Sequence, residues 1–156
     1  MYKIITVVVA LFIVSSIFVS CQKEDNLSVE DQFSIDTQLI EEYLKANNLV
    51  AEKTVDGIYY IIENAGSAEK PTIINEVIMK YSGYFTDGLI FDNSKSESVP
   101  LRLYNTIVGW QKGIPKFGKG GKGKLFIPSK FGYGTNNRPG RANAVLIFDI
   151  ELLDFN

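Results

Sequence analysis

A chain of 156 residues has room for one compact domain of about 100 residues with appendages. Its formal charge of −2 supplies no basic field for nucleic acid, and the absence of histidine with a single cysteine excludes histidine triads, cysteine–histidine nucleophile pairs and zinc sites built on those residues. Chemistry must then come from carboxylates, hydroxyls, backbone groups or pocket shape, and the 12% aromatic content, mostly Phe and Tyr, suits a β-rich core or a ring-lined pocket.

Met1-Tyr2-Lys3 precedes an apolar run from Ile4 to Val19, broken only by Thr6, Ser15 and Ser16. The run is shorter than the ~20 residues that cross a bilayer as a helix, and a Lys stands before it, so residues 1–20 read as a signal peptide. Phe18-Val19-Ser20-Cys21 resembles the lipobox of bacterial lipoproteins, with Phe18 at the usual Leu position. The resemblance implies that the Cys21 thiol is diacylglycerol-modified and becomes a membrane-anchored amino terminus. A lone thiol in an exported chain has no internal disulfide partner, so lipidation gives it a purpose; a plain signal peptide with an incidental Cys is the alternative. Gln22-Lys23-Glu24-Asp25-Asn26 resembles the acidic tag of outward-displayed outer-membrane lipoproteins, and the polar Leu27–Phe33 stretch extends an acidic tether expected over residues 21–34.

Ile35, Leu39, Tyr43 and Leu44 recur at helical spacing, with Ser34 or Asp36 as cap and Asn47-Asn48 as stop, which predicts a helix from Asp36 to Ala46 within an accessory segment, residues 35–56. This helix either docks on the domain or pairs with a second copy. The domain itself is expected over residues 57–156. Strands are predicted at Ile58–Ile62, Val77–Phe85, Leu89–Asn93, Leu101–Tyr104, Lys124–Ile127 and Val145–Leu153, with one short helix over Thr106–Ile114 that Pro115 ends. In the last strand Leu146, Phe148, Ile150 and Leu152 share a face opposite Asp149 and Glu151. Several strands with one internal helix predict an α+β fold, an antiparallel sheet with a helix on one face.

The organising stretch is Met79–Ser94, where Asp87-Gly88 turns a hairpin that carries Tyr81, Phe85 and Phe91 beside Asp92. Gly118-Lys119-Gly120-Gly121-Lys122-Gly123-Lys124 satisfies GxGxxG and GxxxxGK at once. Leu125 stands where the second pattern needs a hydroxyl, and a β run rather than a helix follows, so the segment is read as a flexible basic turn entering a strand.

With the hairpin, Gly109-Trp110, Phe131-Gly132-Tyr133-Gly134 and the Leu146–Leu153 stretch in order, the chain from about Gly57 to Asn156 resembles the FKBP family of peptidyl-prolyl cis-trans isomerases. The resemblance implies an antiparallel sheet of five or six strands wrapped around a short helix. It implies a pocket in which Tyr81, Phe91, Asp92, Trp110, Tyr133 and Phe148 match the family's catalytic positions, with Trp110 as the floor. Ile107 matches a substrate-binding position, Leu101 stands where many members have Phe, and Thr106 replaces a common Val. The loop from Thr135 to Asn143 departs from the family, with Arg138-Pro139-Gly140-Arg141-Ala142 in place of Ile-Pro-Pro. The implied partners are proline-containing polypeptides and the macrolides that bind the family, and the reaction calls for no cofactor and no metal. A weakly active peptide-binding or chaperone module with the same fold on a lipid anchor is the alternative. A surface lipoprotein that pairs through its amino-terminal helix is a third reading.

Overall fold

The computed structural model describes residues 27–95 and 97–156. The expectations of a signal peptide and of lipidation at Cys21 lie outside the described residues.

Helix α1 runs Val29–Ala46, so residues 29–34, expected as tether, form its first turns. The start is fixed by Ser28, whose hydroxyl accepts from the Asp31 N–H at 3.0 Å, with Glu30 and Asp31 against the positive end of the helix. The end is fixed by Asn47 and by Asn48, which takes a left-handed φ of 54°. Neither Ser34 nor Asp36 is the cap. The face that docks matches the one the spacing suggested only at its C-terminal end: Leu44 is buried and Tyr43 half-buried, whereas Ile35 and Leu39 are exposed and Asp36 and Ile40 are buried instead.

Seven strands follow as β1 (Glu52–Lys53), β2 (Tyr59–Asn64), β3 (Glu76–Tyr84), β4 (Ile90–Asn93), β5 (Val99–Arg102), β6 (Gly121–Ile127) and β7 (Leu146–Phe155), with α2 (Val108–Gly113) between β5 and β6. They form one antiparallel sheet in the order β1-β2-β6-β7-β3-β4, and β5 pairs with the part of the β3 edge that β4 leaves free. This is the expected antiparallel sheet around a short helix, with the two-residue β1 added at one edge. Leu103 and Tyr104, expected to extend the fifth strand, turn instead in a 3-10 helix over Leu103–Asn105.

The alternation in β7 decides the layering. Leu146, Phe148, Ile150 and Leu152 point into the main core with Trp110, Ile114, Phe117 and Leu125, on the side where α2 lies. Ile147 points the other way, to a second core with Phe126, Tyr59, Ile40 and Leu44, where α1 covers the sheet. Asp149 and Glu151 on that same outer side pair with Lys124 and Lys122 of β6. α1 is therefore a docked layer of the domain, and truncating Ile40, which is fully buried, costs about 2–5 kcal/mol.

The glycine-rich run is only partly a turn. Gly120 takes a φ of 81° with open space around it, but β6 already begins at Gly121 and keeps Gly123 in register between Ile62 of β2 and Ile150 of β7. No helix follows it: Pro128 ends the strand ahead of a 3-10 turn over Ser129–Phe131. The run leads into an interior strand of the sheet, without the strand–loop–helix context that a phosphate site needs.

Candidate functional site

A cleft of about 350 Å³ opens on the core face of the sheet, lined by Tyr81, Phe91, Asp92, Leu101, Asn105, Thr106, Ile107, Trp110, Tyr133 and Phe148. All nine residues singled out in the sequence for a pocket meet here, contributed by β3, β4, β5, α2, β7 and the connections beside them. Asn105 was not foreseen, since a lone Asn in a 3-10 turn carries no pattern that marks it.

The rings meet edge to face. Trp110 is 5.0 Å from Tyr81 at 80° and 5.1 Å from Phe148 at 76°; Phe148 is 5.5 Å from Phe91 at 90° and 6.4 Å from Tyr81 at 62°. Each such pair adds about 0.5–1.5 kcal/mol beyond area burial, so the ring set holds its own geometry before any ligand arrives. Trp110 and Phe148 are 5% and 3% exposed and form floor and back wall, while Tyr133 is 38% exposed and stands at the rim. The Trp110 Nε1–H is buried without an acceptor among the described residues.

Two irregularities put these side chains together. Along β3 and β4 the register passes from Gly83 opposite Asp92 to Tyr84 opposite Ile90, leaving Phe91 as the extra residue of a bulge. Strict alternation would send consecutive residues to opposite faces; the bulge lets Phe91 and Asp92 both line the cleft. Second, neither β4 nor β5 covers β3 at Tyr81. There Ser94, buried, accepts from the Tyr81 N–H through Oγ at 3.0 Å, while its own N–H donates to the Tyr81 carbonyl at 3.0 Å.

Helix α2 supplies the floor because Gly109 lets it settle on β6: a Cβ there would come 2.7 Å from Ile127 Cδ1. Ile107 is its N-cap, and Gln111 pins the preceding turn by donating to the carbonyls of Thr106 at 2.8 Å and Tyr104 at 3.2 Å. The Thr106 hydroxyl turns back to the Leu103 carbonyl at 2.7 Å, so it presents little polarity to the cleft.

The polar groups are few. The Tyr81 hydroxyl donates to Asp92 Oδ2 at 2.9 Å. Burial, then the bond to Asp92 and its charge, push the Tyr81 phenol up to about 12, so it remains a donor. Tyr133 is shifted in the same direction, chiefly by burial and then by the Asp92 charge, with Arg138 opposing. The cleft is thus an apolar slot with one oriented carboxylate and two neutral phenols.

The family model described as FKBP-type peptidyl-prolyl cis-trans isomerase matches residues 67–153. The FKBP-type peptidyl-prolyl cis-trans isomerase FkpA of Buchnera aphidicola is 44% identical over 106 residues, covering 66% of this chain and 44% of that protein. The crystal structure of FkpA from Escherichia coli superposes with a TM-score of 0.71 at 34% identity, over 81% of this chain and 62% of that one. A peptidyl-prolyl cis-trans isomerase structure from Pseudomonas syringae pv. tomato gives 0.70 at 26% identity, over 84% and 98%. The chain spans less than half the length of the first of these relatives.

Proposed function

Since the chain belongs to the FKBP-type peptidyl-prolyl cis-trans isomerase family, we propose that it isomerises X-Pro bonds in exported polypeptides, with the ring-lined cleft as the active site. The observation that carries this reading is the convergence of Tyr81, Phe91, Asp92, Trp110, Tyr133 and Phe148 on one cavity.

Amide rotation is opposed by ~18–20 kcal/mol because the twisted form loses resonance, while the cis and trans ends of an X-Pro bond differ by about 1 kcal/mol. No bond is made or broken, so no nucleophile is needed, and a site accelerates rotation by binding the twisted amide better than either planar one. The twisted amide is less polarised than the planar form, and the slot of Phe91, Trp110 and Phe148 gives it an apolar seat. Tyr133 at the rim donates its O–H to a substrate carbonyl and holds one side of the bond while the prolyl ring turns on Trp110. Asp92 orients Tyr81. Leu101, Thr106 and Ile107 shape the wall on which the residue before proline rests. The macrolides that bind the family are expected to compete for the same slot.

The test is a peptide isomerisation assay on residues 22–156, with Phe148→Ala and Tyr133→Phe alongside. Acceleration that both substitutions reduce supports the reading; a wild-type rate no better than that of Phe148→Ala favours a peptide-binding module, for which Leu101 in place of a larger ring and the Arg-containing 135–143 loop are the motivation.

The localisation follows from the amino-terminal motif. The protein is exported and lipid-anchored through Cys21, with the outer membrane as the destination that the Gln22–Asn26 tag favours. Radiolabelled palmitate is expected to enter the wild type, and equal labelling of Cys21→Ser would refute the anchor.

A further inference from the structure

The buried carboxylate of Asp36 lies outside the cleft, yet it is wired to it. Asp36 sits on the core-facing stripe of α1 and is 0% exposed. Its Oδ2 accepts from the Ser129 N–H at 2.7 Å and from the Ser129 hydroxyl at 2.6 Å, and its Oδ1 accepts from Gln32 Nε2 at 2.8 Å. A charge taken out of water is retained only where such donors compensate it, and three converge here.

Ser129 opens the 3-10 turn that leads to Tyr133, and its carbonyl accepts from the N–H groups of Gly132 at 2.9 Å and Gly134 at 2.8 Å, the two neighbours of Tyr133. The Gly134 carbonyl in turn accepts from Asn143 N–H at 2.7 Å, which closes the base of the 135–143 loop. A second hold lies one turn earlier on α1. Phe33 meets Phe131 edge to face at 6.1 Å, and the Lys130 ammonium lies 3.4 Å from the Phe33 ring centroid. Beyond these ties the loop is backed by open space, a cavity of about 380 Å³ between the start of α1 and residues 134–143.

Resting on the isomerase reading, we infer that Asp36 is a positioning residue: α1 sets, through the Asp36–Ser129 bonds, where the Tyr133 hydroxyl stands at the cleft rim. The helix docked on the far face of the sheet is then part of the catalytic apparatus.

The test uses the full chain in mild detergent, labelled with 3-fluorotyrosine, the Tyr133 resonance being assigned by its loss in Tyr133→Phe. Asp36→Ala is expected to move that resonance while leaving Tyr104, whose hydroxyl accepts from Arg102 away from α1, in place. It is also expected to lower kcat/KM about tenfold, mainly in kcat. Asp36→Asn, which keeps an acceptor for the Ser129 N–H, recovers part of the loss. In the Tyr133→Phe background the same substitution removes less than about twofold more, as coupled residues require. Ile40→Ala controls for loosened docking: it lowers the melting temperature but leaves the Tyr133 resonance and kcat/KM unchanged well below melting. A resonance unmoved by Asp36→Ala, or moved equally by Ile40→Ala, overturns the inference. Should Asp36→Ala not fold, Ser129→Ala removes one donor and is read in the same way. A moved resonance in a protein that accelerates no isomerisation would uphold the positioning and sink the isomerase reading instead.

Discussion

The Tyr81 hydroxyl donates to Asp92 Oδ2 at 2.9 Å across the cleft mouth, at the one point of β3 where Ser94 stands in for a neighbouring strand. The bond orients a phenol that is already held 5.0 Å from the Trp110 ring. Because burial and Asp92 push Tyr81 up to about 12, the neutral phenol is the form the fold favours. The stability this contributes is present below the ordinary tyrosine value near 10 and is lost as pH rises from about 10 to about 12. Raising the pH from neutrality to about 10 is therefore expected to leave turnover free of any loss from Tyr81 ionisation. Asp92→Asn should bring the Tyr81 titration, followed by ultraviolet absorbance against a Tyr81→Phe reference, down toward the ordinary value. It should also reduce kcat/KM by about two- to tenfold, the worth of one hydrogen bond.

Gly83 sits under two walls of the cleft. It faces Phe148 on β7 and Asp92 on β4, and a Cβ there would come 2.6 Å from Phe148 Cε1 and 2.8 Å from the Phe91 ring. Gly83→Ala should force both rings off their edge-to-face contact at a cost of about 1–3 kcal/mol in stability. Peptide affinity should fall further than the melting temperature suggests. Calorimetric melting beside a titration with an X-Pro peptide checks this, and unchanged affinity would mean that the rings do not form the binding wall.

The candidate site was legible because its residues fall in order along the chain, in blocks that are specific only together: Tyr81 and Asp92 on a hairpin, Trp110 on a short helix, Phe148 on an alternating strand. What the sequence hid depended on events that one-dimensional patterns do not record. The bulge that turns Phe91 and Asp92 to the same side is a register shift between two strands, and no residue type announces it. The start of α1 was misread because Ser34 and Asp36 have the chemistry of caps, whereas Ser28 took that role and Asp36 found donors on Ser129, far along the chain. A polar residue on the stripe that should be apolar was the available signal for that contact.

Arg141 tethers the 135–143 loop to the hairpin. Its Nη2 lies 2.7 Å from Asp87 Oδ2, and its guanidinium carbon stands 4.3 Å from the Phe85 ring centroid. The hydrogen bond from Arg141 and then that from the Leu89 N–H hold Asp87 below the usual carboxylate range, so the tie is present above that range and is lost as pH falls through it. Both partners are solvent-accessible, so the tie is worth little to global stability and is screened by salt. Arg141→Ala is expected to leave the melting temperature nearly unchanged while raising KM more than it lowers kcat, because the loop beside Tyr133 loses its outer attachment. Added salt should shift wild-type KM in the same direction and leave the variant's unaffected; a KM equally salt-sensitive in both would show that the tether does not act on substrate.

Gly123 decides between the two meanings of the glycine-rich run. A Cβ at this position would fall inside contact distance of the Ile61 carbonyl oxygen on β2 and 2.8 Å from Phe117 Cε1 in the core. Backbone cannot step aside as a flexible side chain can, so Gly123→Ala must either part β2 from β6 or displace Phe117, which is fully buried. A loss of at least about 1–3 kcal/mol is expected, enough to lower the melting temperature by several degrees. Gly120→Ala, with open space but a φ of 81°, should cost less, through backbone strain alone. If the run instead cradled a nucleotide, millimolar ATP would raise the melting temperature of the wild type by mass action, and it is expected to produce no shift. The glycines at 118 and 123, which satisfied a phosphate-loop pattern, are there because neighbouring backbone passes too close for any side chain. For Gly118 that backbone is the Ser67 carbonyl, which a Cβ would likewise meet.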